Sequence, residues 1–97
     1  MISRKVKTKG IPPCPRAAHS GDIVKEKLYI FGGWNGYSAF DDVHVLDLKS
    51  MMWSEITKIE FKPVARNNHR TAVFGHKIYL YGGHDGNKWF DYLYKYI

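Results

Sequence analysis

Sliding the chain against itself by fifty positions aligns residues 3–46 with 53–96 without a gap, and this internal repeat constrains the fold more than any other feature. The identical pairs are Pro13 with Pro63, Arg16 with Arg66, His19 with His69, Lys27 with Lys77, Tyr29 with Tyr79, Gly32 with Gly82, Gly33 with Gly83, Gly36 with Gly86, Phe40 with Phe90 and Asp41 with Asp91. Ten identities in 44 positions compare with roughly three expected from ordinary residue usage. Further pairs keep their character, among them Val6 with Ile56, Ile23 with Val73, Leu28 with Ile78, Ile30 with Leu80 and Asn35 with Asp85. One structural unit is used twice.

Each unit reads as strands. Lys27 to Phe31 and Lys77 to Tyr81 are short runs rich in β-formers, apolar on both alternating faces, which suits a middle strand covered on both sides. Each run ends in a glycine pair, Gly32-Gly33 or Gly82-Gly83, where positive φ and close backbone approach are needed. His19 to Val24 and His69 to Phe74 supply the preceding strand, joined through Lys25-Glu26 and Gly75-His76, which is hairpin length. Val43 to Leu48 and Trp53 to Thr57 follow as third and fourth strands, and residues 3–7 align with the fourth. The breakers Pro12, Pro13, Pro15 and Pro63, with Asn35-Gly36 and Asp85-Gly86, fall between the runs. No segment keeps a helical period.

Composition narrows the function classes. With 44% apolar and 25% charged residues the chain is expected to be globular. Its net charge of +6 invites a nucleic-acid reading, but four of fifteen basic residues lie in the first nine positions and the rest are scattered among carboxylates. No basic stripe with interleaved aromatics exists, so nucleic acid is not the expected partner. No apolar run approaches a membrane span and no secretory pattern follows the basic start, so the expectation is a soluble, cytoplasmic protein without a membrane partner. The single cysteine, Cys14, reads as a small residue between prolines.

A four-stranded antiparallel unit of about fifty residues with a glycine doublet has the kelch period. Through Pro15-Arg16, His19-Ser20, Leu28-Tyr29-Ile30-Phe31-Gly32-Gly33, Asn35-Gly36, Asp41-Asp42-Val43, Leu46-Asp47-Leu48 and Trp53, the chain resembles a kelch β-propeller over nearly its whole length. Leu46 stands where the family often has tyrosine, restored as Tyr96 in the second unit, and Ser3 stands where Trp53 does. The Leu-Asp-Leu ending resembles the diverse kelch proteins more than the BTB-kelch ubiquitin-ligase adaptors. The resemblance implies an all-β fold of antiparallel four-stranded blades, an incomplete propeller of about two blades. Its divisions are a basic segment with a possible edge strand at 1–10, one repeat at 11–60, and a second at 61–97 lacking its last strand. Since a propeller closes with roughly four to eight blades, two blades imply either a longer kelch chain or head-to-tail self-association.

Candidate chemistry is thin. His19 and His69 hold one repeated position and read as hydrogen-bonding scaffold residues rather than metal ligands. Asp41 and Asp91 repeat as well, which favours a turn or strand-start role over general-base work. His19 and Ser20 are adjacent, so they point to opposite strand faces and do not make a nucleophile and base. Neither catalytic residues, metal ligands nor a cofactor are expected. Gly32, Gly33, Gly82, Gly83 and Trp53 are expected to be scaffold. Arg16 and Arg66 can either brace a neighbouring blade or face a ligand.

Function is expected on the loops, where a repeat protein varies. In a four-stranded meander the B-to-C and D-to-A connections leave on the same side. The B-to-C loops carry Trp34, Asn35, Tyr37 and Ser38 in one unit and His84, Asp85, Asn87, Lys88 and Trp89 in the other, a composition suited to protein contact. These residues, with Arg16 and Arg66, are the expected partner-binding set, and Trp34 and Trp89 its expected anchors. The kelch resemblance implies a protein-interaction adaptor or scaffold. It also admits a kelch-type enzyme resembling copper oxidases or specifier proteins, and the substrate-recognition part of a ubiquitin-ligase adaptor.

Overall fold

The computed structural model describes residues 2–59 and 62–96, and shows seven strands and no helix among them. The first unit is a four-stranded antiparallel meander, β1 (Ser20–Val24), β2 (Lys27–Phe31), β3 (Val43–Asp47) and β4 (Met52–Ile56). The second is β5 (Arg70–Phe74), β6 (Lys77–Tyr81) and β7 (Leu93–Tyr96), again antiparallel and in sequence order. The registers repeat as the sequence does: Ser20 opposes Phe31 as Arg70 opposes Tyr81, and Phe31 opposes Val43 as Tyr81 opposes Leu93. The described residues thus form two blades of a β-propeller, of four and three strands.

Because side chains alternate across a strand, each blade has two faces. The rear face of the first blade carries Ser20, Val24, Tyr29, Phe31, Val43 and Val45. It meets the front face of the second, where Ile78 and Leu80 are fully buried. Phe31, Val43 and Leu80 form the core between the sheets, with Tyr29, Ile59 and Tyr94 packed around them. Full burial of a residue such as Phe31 stabilises by about 2–3 kcal/mol, so the blades are joined chiefly by this apolar layer.

Polar locks fix its registration. Gly33 N–H donates to the Arg66 carbonyl at 2.9 Å, Arg66 N–H to Phe40 O at 3.1 Å and Asn68 N–H to Ala18 O at 3.0 Å. His69 Nε2 lies 2.9 Å from the Ser20 hydroxyl, and its ring stands edge-on to Phe31 at 5.3 Å. The glycine doublet permits this approach. All four doublet residues have positive φ, 70° and 113° at Gly32 and Gly33, 76° and 87° at Gly82 and Gly83. A methyl group added at Gly32 would also lie 2.7 Å from the Arg66 carbonyl oxygen and 2.9 Å from the His69 ring.

Residues 3–7, aligned by the repeat with a fourth strand, form no strand. A fourth strand is the outermost of its sheet and needs a third strand beside it. Among the described residues the edge that the N-terminal segment meets is that of β4, already the outer strand of the first blade. It touches that edge once, in parallel: Lys9 N–H donates to Met51 O at 2.7 Å, and Trp53 N–H to Lys9 O at 2.9 Å. Pro12, Pro13 and Pro15 then line a shallow cleft with Ile30 and the half-buried Trp53, partly covering the front face of the first blade.

Two predictions follow from the junction. Gly32→Ala is expected to cost about 3 kcal/mol, combining the strain of left-handed backbone with overlap onto the second blade. Gly82→Ala, whose methyl would meet only Phe90 O at 3.7 Å, should cost about 1–2 kcal/mol from backbone strain alone; urea unfolding measures both. The second concerns His69, whose burial, aided by the Arg66 charge, lowers its pKa from 6.5 to about 4. Above pH 6.5 the ring is neutral folded or unfolded; between 6.5 and about 4 only the unfolded chain takes the proton, so stability falls with pH across that window. His69→Gln should remove much of the decline in urea midpoint between pH 7 and pH 5.

Candidate protein-binding rim

The two B-to-C loops are built alike from their own first residues. Asn35 Oδ1 accepts from the backbone N–H of Tyr37 and of Ser38, both at 2.8 Å. Asp85 Oδ1 accepts from Asn87 N–H at 2.8 Å and Lys88 N–H at 2.9 Å. These two donors hold the Asp85 carboxyl below its ordinary pKa range. Each loop then closes on its own blade: Trp34 exchanges backbone hydrogen bonds with Ala17 at 2.9 and 3.1 Å, and His84 with Asn67 at 3.0 and 2.9 Å. Asn35 and Asp85 therefore shape the loops.

The aromatic residues divide. Tyr37 is 91% exposed and Trp89 76% exposed. Trp89 leans on the His84 ring, centroids 4.5 Å apart, while Gly86 N–H donates to His84 Nδ1 at 3.2 Å. Trp34 is half-buried and reaches across the blade boundary, where a methyl on Gly86 would meet its indole at 3.5 Å. Its ring joins the two loops into one rim. Ser38, Asn87 and Lys88 are exposed along that rim, with the repeated carboxylates Asp41 and Asp91 beside them.

Arg16 and Arg66 lie beneath the rim. Arg16 donates from NH1 and NH2 to the two oxygens of Asp42, at 2.6 and 2.9 Å, and to Gly32 O at 3.0 Å, with its guanidinium 4.2 Å from the Phe40 ring centre. Asp42 also contacts His44 Nε2 at 2.8 Å. Burial disfavours the Asp42 carboxylate, but the bonds from Arg16 and His44 outweigh it and its pKa lies below the ordinary value. Arg66 has no carboxylate partner among the described residues. It donates to Val64 O, Gly82 O and Tyr92 Oη at 3.0 to 3.1 Å, and its guanidinium faces the rings of Phe90, Tyr92 and Tyr94 at 4.2, 5.2 and 5.4 Å. Arg66 is fully buried and the Arg16 side chain only 4% exposed. Both side chains therefore brace their own blades, Arg16 through the Asp42 carboxylate and Arg66 through backbone carbonyls and ring faces, the bracing role being one of the two that the sequence leaves open for them.

The sequence reading missed the residues that complete these braces, Asp42 and His44 in one unit, Tyr92 and Tyr94 in the other. A signal was available: the arginine repeats, whereas fifty positions separate aspartate from tyrosine and histidine from tyrosine at the two positions that face it. Among the described residues no three of His, Cys, Asp and Glu gather where they could hold a metal ion.

Comparison with known proteins agrees with this architecture. The family model described as the KLHDC2/KLHL20/DRC7 Kelch-repeats domain matches residues 1–96. Similar proteins include Acyl-CoA-binding domain-containing protein 5 of Arabidopsis thaliana, 38% identical over 76 residues, covering 77% of this chain and 12% of that protein. Host cell factor 2 of Homo sapiens is 38% identical over 74 residues, covering 70% and 9%. Kelch domain-containing protein 2 of Bos taurus is 39% identical over 62 residues, covering 64% and 15%. The chain thus spans between 9% and 15% of the length of these relatives. The doublets that let one blade dock on the next are carried by a chain that belongs to the kelch-repeat β-propeller family.

Proposed function

We propose that the chain is a protein-interaction segment of the adaptor or scaffold kind, and that a partner protein docks on the rim of the B-to-C loops. The observation that carries this reading is the exposure of Tyr37 and Trp89, at 91% and 76%, on loops whose shape does not depend on either ring. The turns are held by Asn35 and Asp85, so the two rings are presented on a preformed backbone. A preformed loop loses little entropy on binding, and large aromatic rings flanked by short polar groups supply most of the energy at protein contacts. Trp34 serves this surface from below by fixing one loop against the other. The family's common use of its blades in protein interaction supports the same reading.

A photo-reactive phenylalanine analogue at Tyr37 or Trp89 in living cells should crosslink one defined protein, whereas the same group at His76, in a hairpin at the opposite end of the blade, should not. With that protein purified, Tyr37→Ala and Trp89→Ala are each expected to weaken binding about tenfold or more without changing the thermal midpoint. Trp34→Ala should lower the midpoint as well. Equal crosslinking from His76, or unchanged affinity in both rim variants, would place the partner elsewhere.

A further inference from the structure

The first hairpins of the two blades differ at one backbone position. Lys25 and Gly75 hold the same place in the repeat, and both are left-handed, with φ of 57° and 63°. Glycine adopts that conformation readily, whereas a β-carbon there crowds the following carbonyl oxygen. The other positive-φ positions that the units share carry matching types: Ala18 with Asn68, and Gly32, Gly33 and Gly36 with Gly82, Gly83 and Gly86. At Lys25 alone, the second unit shows that glycine serves the same turn while the first keeps a strained side chain. Strain that the turn does not require points to a use for the side chain itself.

Lys25 stands at a cleft of about 390 Å³ at the hairpin end of the seam between the two blades. Val24 and Tyr29 give the cleft an apolar wall, and His76 reaches it from the hairpin of the second blade. Lys25, Lys27, Glu26 and Asp47 supply its charges. The carboxylates are already engaged: Asp47 Oδ1 accepts from Lys49 N–H at 2.9 Å and Ser50 N–H at 3.1 Å, and Glu26 pairs with Lys49 Nζ at 3.1 Å. Lys27 lies opposite Asp47 in the pairing of β2 with β3. Lys25 makes no ion pair among the described residues. With Glu26 balanced by Lys49, Asp47 set against Lys27 and His76 counted as neutral, Lys25 is the cation left unmatched.

We propose that this cleft binds a small aromatic carboxylate, its ring system lying against Val24, Tyr29 and His76 and its anion on the Lys25 ammonium. A single negative charge neutralises the excess, whereas a dianionic phosphate would set its second charge against Asp47. The volume lies near the lower end of the range for ligand sites, which limits the apolar body to one or two fused rings. Between the walls of two blades the ion pair is screened less than on open surface. Such a ligand touches both blades, so it favours their docked arrangement by mass action. The cleft is at the end of the blades away from the B-to-C loops, and the inference is independent of the rim.

Naphthoate is the probe for the test, with naphthylmethanol as the same ring system without charge. In a heteronuclear NMR titration, naphthoate should shift the amides of Lys25, Lys27, Tyr29 and His76 saturably, with a Kd in the millimolar range or below, and leave those of Tyr37 and Trp89 in place. Naphthylmethanol should bind about threefold more weakly or worse. Lys25→Gly should weaken naphthoate by a similar factor and yet raise the thermal midpoint by about 3–6 °C, because it relieves the left-handed backbone. Lys25→Arg, which keeps the charge, should retain binding. Four results would each overturn the proposal: no saturable shift at the cleft amides, equal binding of the alcohol, undiminished binding by Lys25→Gly, or a Lys25→Gly midpoint no higher than wild type.

Discussion

The carbonyl oxygen of Arg66 and the ring of His69 press on Gly32 so closely that no β-carbon fits between them. That approach places Arg66 under its aromatic rings, delivers His69 to Ser20, and lets Leu80 reach Phe31 and Val43. A blade alone would leave both apolar faces in water. Close docking at the doublet turns one of those faces into a core, and the loops above inherit their relative position from it.

The two units meet the same requirement with different chemistry. An arginine sits where the incoming segment turns onto its blade. In the first unit its charge is answered by Asp42, itself held by His44. In the second the carboxylate is a tyrosine, and the charge rests on backbone carbonyls and three ring faces. A desolvated guanidinium over a ring gains about 2 kcal/mol, which several rings and carbonyls together make sufficient to hold a buried cation. The substitution has an electrostatic consequence, since one fewer carboxylate in the second unit adds to its basic character and thus to the difference between the two blades.

Much of the scaffold was legible because strands and turns write themselves locally. Lys27 to Phe31 and Lys77 to Tyr81 match β2 and β6, and His19 to Val24, His69 to Phe74, Val43 to Leu48 and Trp53 to Thr57 lie within a residue of β1, β5, β3 and β4 at either end, because alternation and the flanking glycine and proline signals act over a few positions. The positive φ of the doublets was equally readable, since only glycine meets that demand cheaply. Residues 3–7 misled because repeat alignment reports what a segment resembles, whereas a strand forms only where a neighbouring edge exists. Burial at the site was not legible: nothing in the sequence around Arg66 says that Tyr92 and Tyr94, far along the chain, close over it, nor that Trp34 spans to Gly86 while Trp89 stays outside. The closure over Arg66 needs β7 to pair with β6, and the reach of Trp34 needs the two blades to dock; both are non-local events.

That docking is tested most directly by native-state amide hydrogen exchange. Gly33, Arg66 and Asn68 lie outside the strands, yet their N–H groups bond across the junction. If the two blades lock as one cooperative unit, these three amides should be protected with β1 and β5, opening with a free energy within about 1 kcal/mol of those strands. Exchange of the three at the rate of unprotected loops, while β2 and β6 remain slow, would show that each blade holds its own hydrogen bonds without the other and would contradict a fold organised by the glycine junction.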